Sequence, residues 1–232
     1  MNDTRKTLRI EQAASRSQEG SGASPGVVTI AQVVMGQIYE YRMTRLSGGV
    51  TLQGFSRITV EPEPLGMAST RRFTASEEIN IGGEKILRTL HMSQSSDGTL
   101  YCHGLSGPDW RRLVVNSRGG FYTYLRSPLM VGDSYATHIR YDDGSGSIWQ
   151  CTVEAMEELT VPAGTFLTCR TAMVSHEERG GITNYQSWYS PEMTYPVKGI
   201  RSSVDSIYIR ELIGVSRADG AEGYSAGAGS DR

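Results

Sequence analysis

Serine, histidine, cysteine and carboxylate side chains could do chemistry in this sequence, and their spacing argues against each ready-made reaction in turn. A G-x-S-x-G pattern stands at Gly22-Ala-Ser24-Pro-Gly26. A nucleophile elbow needs a strand before the serine, a helix after it, and backbone N–H groups for the oxyanion. Here the pattern lies in a polar stretch of small residues, and Pro25 removes an amide where the oxyanion hole would take one. His103-Gly-Leu-Ser106 sets a histidine three residues from a serine, a spacing that ordinary turns produce.

Cys102 and His103 are adjacent, so on a strand they point to opposite faces and cannot chelate together. His91, His103, His138 and His176 are dispersed. Asp142-Asp143-Gly-Ser-Gly lacks the alternating carboxylates and distal Glu of a calcium loop and reads as a hairpin turn. Glu154, Glu157-Glu158 and Glu177-Glu178 read as wet-face residues of strands. No glycine-rich phosphate loop is present. Arg118-Gly-Gly-Phe-Tyr-Thr-Tyr124 has some of the character of an RNA-binding strand, but its spacing is off and no basic field surrounds it. The expectation is therefore no catalytic residue, no metal and no cofactor.

Aromatic side chains remain. Trp110, Trp149, Trp188 and twelve tyrosines are spread along the chain. Read plainly, they are core and cross-strand packing, at about 150–250 Å² each. On the concave face of a curved sheet they would bind an apolar ligand. Trp149, Phe166, Trp188 and Tyr189 are the candidate ligand-binding residues, with contacts drawn from aromatic and aliphatic area rather than from charge.

The elements that must position them are legible from punctuation. Gly48-Gly49, Gly82-Gly83, Asp97-Gly98, Gly119-Gly120, Asp143-Gly144 and Gly180-Gly181 each separate segments rich in β-branched and aromatic residues. Such pairs accept the positive φ of tight hairpin turns. Val161-Pro-Ala-Gly164 adds a turn with Pro at its first corner and Gly ready for left-handed backbone. Alternation is clear in Trp149-Gln-Cys-Thr-Val153, where 149, 151 and 153 share one face, and in Phe166 to Met173. One covered face and one wet face is the antiparallel pattern. The sequence predicts a mainly β fold, a curved antiparallel meander like a half-barrel, with one or two short helices, one of them around Val27–Gly36.

Residues 27–214 form the expected single domain. Residues 1–26 and 215–232, rich in Ser, Gly, Ala and charge, are expected as disordered tails. At 232 residues the chain buries roughly 70–75% of its unfolded surface and needs no disulfide or metal to hold a core. Lys+Arg 23 against Asp+Glu 25 is too balanced for a general nucleic-acid or anionic-membrane binder. Three cysteines at irregular spacing read as reduced and packed, Cys151 and Cys169 being the pair to test for a bridge. No stretch approaches the ~20 apolar residues of a membrane-spanning helix. No apolar leader segment follows the first residues either, which points to a cytoplasmic address.

From Pro128 to Ser203 the chain carries Met130-Val-Gly-Asp133-Ser-Tyr135, Glu158-Leu-Thr-Val-Pro-Ala-Gly-Thr-Phe166, Trp188-Tyr-Ser-Pro-Glu192 and Val197-Lys198. This series resembles an uncharacterised bacterial domain family with V-G-D-x-W/Y, V-P-A-G-T-F, W-Y-x-P and V-K motifs. The family is similar in fold to the half-barrel of lipoprotein-localisation factors. Met193-Thr-Tyr-Pro196 stands where that family commonly turns at a glycine. The resemblance implies a sheet wrapped round a greasy cavity and a cell-envelope address, and it brings no enzyme assignment. The expected function is a non-enzymatic binding module whose concave face takes an apolar ligand, a lipid or acyl chain, or a protein segment. The alternative is a structural subunit that joins a protein partner through a sheet edge.

Overall fold

The computed structural model describes residues 26–63, 71–108, 110–115 and 120–218. Of the tails expected at 1–26 and 215–232, residues 1–25 and 219–232 lie outside the described residues, while Val215, Ser216 and Arg217 continue the last strand and pair with Tyr39, Ile38 and Gln37. Fifteen strands follow in chain order: β1 (Val27–Val28), β2 (Gln37–Ser47), β3 (Val50–Pro62), β4 (Arg71–Ile81), β5 (Glu84–Gln94), β6 (Leu100–Gly107), β7 (Trp110–Leu113), β8 (Tyr122–Leu125), β9 (Leu129–Met130), β10 (Ser134–Arg140), β11 (Gly146–Val161), β12 (Gly164–Glu177), β13 (Ile182–Tyr189), β14 (Lys198–Ser202) and β15 (Ile207–Arg217). β1 and β9 pair with each other, and the other thirteen strands form one sheet.

The main sheet is two antiparallel meanders joined edge to edge. β2 to β7 run in chain order, as do β10 to β15, and β15 lies beside β2, with β8 pairing β6 next to β7. The glycine pairs make the corners. Ser47 faces Val50 across Gly48 and Gly49 at φ 56° and 80°. Ile81 faces Glu84 across Gly82 and Gly83 at φ 59° and 83°. Positive φ at both central residues suits the right-handed twist of the flanking strands and costs glycine nothing. The turn at Pro162-Ala163 likewise joins β11 to β12, with Val161 opposite Gly164.

Curvature brings the ends of the sheet together at one place without closing a barrel. Val114, just after β7, bridges Tyr141, just after β10. The Val115 N–H donates to Arg140 O at 2.8 Å and the Asp142 N–H to Leu113 O at 3.0 Å.

No helix forms among the described residues, so the helix expected around Val27–Gly36 is corrected. Val27 and Val28 pair with Met130 and Leu129. The next amides go to distant side chains, Ile30 N–H to Ser127 Oγ at 3.1 Å and Val33 N–H to Gln94 Oε1 at 2.6 Å. With Val28, Ile30 and Val33 buried, an extended segment satisfies both backbone and apolar side chains, and tertiary contacts override the local pattern. This segment underlies one end of the curled sheet with the loop after β13, where Thr194 Oγ1 donates to Ala31 O at 3.4 Å.

The longest hairpin, β11–β12, changes face part-way along. A bulge between Val153 and Ala155 shifts its register by one residue, and a one-residue slip exchanges the two faces of a strand. Towards the base Cys151, Val153, Thr171 and Ser175 are buried; towards the tip Val161, Phe166 and Thr168 are buried and Leu167 is exposed. The tip folds against β15, the Ala163 N–H donating to Leu212 O at 3.0 Å. All three cysteines are free and buried. Cys151 faces Met173 and Cys169 faces Met156 rather than each other.

Candidate functional site

The inner face of the curled sheet encloses a cavity of about 340 Å³. Two neighbouring cross-strand rows make much of its wall. In one, Cys151, Met173, Tyr185, Arg201 and Tyr208 stand opposite one another in sequence across β11 to β15. In the next, Thr171, Ser187, Gly199, Arg210 and Met43 run from β12 through β15 to β2. Alternation along each strand keeps these side chains on one face. Exposure grades along the cavity: Tyr189 and Tyr195 are buried, while Arg201 and Ile86 are exposed, so it opens at the Arg201 end.

Trp149 stands across this space. Its ring centroid is 5.2 Å from Tyr122, 6.2 Å from Tyr124 and 6.3 Å from Tyr185. These separations fall in the range of attractive edge and offset contacts. β8 thus joins β11 and β13 through one aromatic cluster. The indole N–H of Trp149 and the hydroxyl of Tyr195 are buried without a hydrogen-bond partner, and both residues line the cavity.

Charge sits in this wall as well. Glu77 Oε2 accepts from Arg88 Nε at 2.6 Å and Nη2 at 2.5 Å, and Oε1 accepts from Ser56 Oγ at 2.8 Å. Arg210 Nη1 lies 3.8 Å from Oε1, and its guanidinium carbon 5.3 Å from the Tyr41 ring centroid. Burial alone would raise the Glu77 carboxyl, but Arg88, then Arg210 and the Ser56 hydroxyl outweigh it and hold the group below the usual carboxylate range. Gly199 makes room for Arg210: a Cβ there would stand 2.8 Å from Arg210 Nε.

The four candidate residues read from the sequence separate into two pairs. Trp149 and Tyr189 line the cavity; Phe166 and Trp188 do not. Phe166 lies beyond the β11 bulge, where the opposite face is buried. Trp188 has the outward parity of β13, in a row with Arg170 and Lys198. Its indole N–H donates to Glu157 Oε1, and Lys198 Nζ lies 5.8 Å from its ring centroid. Glu77, Arg88, Arg201 and Arg210 were not singled out from the sequence. A signal for two of them was there. Phe73, Ala75, Glu77, Ile79 and Ile81 share one face of β4, and Arg88 sits between Ile86 and Leu90 on β5. A charge on an otherwise apolar face marks a buried ion pair.

The serine and histidine candidates exchange partners relative to the sequence spacing. His103 Nε2 is 2.8 Å from Ser93 Oγ, and Ser106 Oγ is 3.1 Å from His91 Nε2. His91 Nδ1 is in turn 3.4 Å from Glu63 Oε1, a Ser–His–Glu order on the outward face of β5 and β6. Ser106 lies mid-strand, opposite Thr89 on one side and Arg111 on the other. Backbone N–H groups around it serve the ladder, which leaves none for an oxyanion. Among the described residues no His, Cys, Asp and Glu side chains group as three or more metal ligands, and no helix is long and apolar enough to cross a membrane.

No family model matches the chain, and no curated protein matches it. Among solved structures, it is similar to a "putative lipoprotein" from Parabacteroides distasonis, at 11% identity and a TM-score of 0.47. It is also similar to a "putative exported protein with YmcC-like fold" from Bacteroides fragilis, at 12% identity and a TM-score of 0.48. Each alignment covers 82% of this chain and 99% of the other. Likeness at this level says nothing of what the cavity holds.

Proposed function

We propose that this chain is a non-enzymatic binding module whose cavity takes an apolar ligand, an acyl chain being the class that fits best. The observation that carries the reading is the space itself: about 340 Å³, walled by Met43, Ile58, Leu90, Leu105, Met173 and a tyrosine-rich cluster around Trp149. A volume near the lower end of the ~300–1,000 Å³ usual for small-molecule sites suits one chain rather than several. Binding draws on apolar contact at about 25 cal/mol per Å² removed from water.

Native mass spectrometry of the purified protein, followed by organic extraction, tests this reading. A bound species of lipid mass is the expected result. Delipidated protein titrated with straight-chain ligands should gain about 0.8 kcal/mol per added methylene until the cavity is full. Protein that carries no ligand, and shows no thermal shift with fatty acids or phospholipids, refutes it.

A further inference from the structure

We infer that the ligand is an anionic amphipath, a single acyl chain bearing a carboxylate or phosphate, and that Arg201 and Arg210 receive its head group. The inference rests on the reading of the cavity as an acyl-chain site and adds the chemistry of the ligand's polar end. Three arginines and one carboxylate are the charged side chains of the wall. Glu77 brings one negative charge against the three: its oxygens accept hydrogen bonds from Arg88 and from Ser56, and Arg210 lies 3.8 Å away, so the wall keeps an excess of two positive charges.

Arg201 makes no ion pair among the described residues. Its guanidinium carbon rests 6.0 Å from the Tyr185 ring centroid and 5.9 Å from that of Tyr208, at the open end. Arg210 reaches Glu77 only at 3.8 Å, beyond hydrogen-bond distance. Arg201 stands opposite Tyr208, and Arg210 opposite Gly199, so the two arginines are diagonal neighbours on adjacent strands. Diagonal positions lie about 7–8 Å apart, a span in which one anion can meet both guanidinium forks. The repulsion between the two cations is relieved when it does.

The neutral polar groups agree. Trp149 Nε1–H can only donate, and it is buried without an acceptor; the buried Tyr195 hydroxyl is also unpartnered. The Thr171 hydroxyl already donates to Ser187 O at 3.3 Å. Two unpaired neutral donors, beside a carboxylate that is already saturated, fit a ligand that brings acceptors. An alcohol brings less, and an amine adds a third positive charge to Arg201 and Arg210.

Isothermal titration of delipidated protein at pH 8 with dodecanoate, dodecyl phosphate, dodecanol, dodecylammonium and inorganic phosphate tests the inference. Charge-assisted hydrogen bonds contribute about 1.5–3 kcal/mol, so both acids should bind at least ~10-fold tighter than dodecanol. Dodecylammonium should bind most weakly. Arg201 is exposed, so Arg201→Glu should keep the wild-type circular dichroism and melting temperature. It should lose at least ~10-fold in dodecanoate affinity by the same contribution, and leave dodecanol within about 2-fold. Inorganic phosphate should not displace dodecanoate. Equal affinity for acid and alcohol, or an indifferent Arg201→Glu, overturns the anionic head group and leaves the apolar reading standing. Displacement by inorganic phosphate overturns the amphipath in favour of a simple anion site. Failure of every chain-bearing ligand overturns the acyl-chain reading itself.

Discussion

Replacing Glu77 by Gln removes the charge that holds two arginines inside the sheet. The Glu77 side chain is 3% exposed, Arg210 19% and Arg88 37%. Glutamine keeps the shape but presents one acceptor oxygen and an NH2 group, so it cannot take both Arg88 N–H groups and the Ser56 hydroxyl as the carboxylate does. Breaking a buried ion pair costs about 3–5 kcal/mol because a charge is left without compensation. Arg88 has enough solvent access to rehydrate, and Arg210 has little, so the loss should sit at the lower end, about 3 kcal/mol. For a chain of this size that is a fall of roughly 6–12 °C in melting temperature. Urea titration at pH 7 is the assay, with an unchanged slope and a lower midpoint expected.

The same group sets a pH dependence. Its folded pKa lies below the ordinary 4.5, so its stabilisation is fully present above that value and disappears as pH falls through the folded pKa. Wild type should therefore lose stability through this acid window more steeply than Glu77→Gln, and the two should converge at the acid end. The exposed neighbour Glu78, paired with Lys85 at 3.0 Å, is the control, and Glu78→Gln should not move the midpoint. A Glu77→Gln midpoint indistinguishable from wild type at pH 7, or an acid slope equal to wild type, refutes the reasoning.

Two further substitutions probe the wall at Tyr195 and the packing of β3 on β4 at Gly54. Tyr195→Phe removes a buried hydroxyl that has no partner, so the ligand-free protein should gain stability, by about 1 kcal/mol at the low end of the cost of an unsatisfied buried group, read as a higher urea midpoint. Gly54→Ala should destabilise by more than about 3 kcal/mol, the class of overpacked sites with no room to relax. A Cβ there would stand 2.0 Å from Asn80 O and 2.8 Å from Ile81 Cα, and a melting temperature close to wild type would contradict the close approach of β3 and β4.

Local chemistry made the strands legible in the sequence; their closure was not. Gly48-Gly49 and Gly82-Gly83 demand positive φ whatever surrounds them, so the hairpins they form can be read from the residues alone. The alternation at Trp149, Cys151 and Val153 likewise assigns a face, and two of the four candidate residues lie where that face leads. The edge between β15 and β2 has no local signature: Arg42 and Glu211 pair across 169 residues. Nor does the change of covered face along β12: Phe166 has the parity opposite to Thr171 and Met173, and it is buried because the tip of the hairpin covers the other side. The charged part of the wall is the product of both. Glu77 and Arg88 meet through a hairpin, but Arg210 joins them only once the last strand lies beside the first long one. The segment after Gly26 looked helical because its apolar spacing allows it, yet Gln94 and Ser127 offer its amides better partners.

Fluorescence quenching by a brominated fatty acid tests the cavity most directly. Trp149 lines it, whereas Trp188 and Trp110 do not, so bromine on the bound chain should quench only part of the emission, saturably. Trp149→Phe should retain the emission of the other two and lose the saturable quenching. Quenching absent in wild type, or equally strong in Trp149→Phe, would show that the chain does not enter the space between the strands.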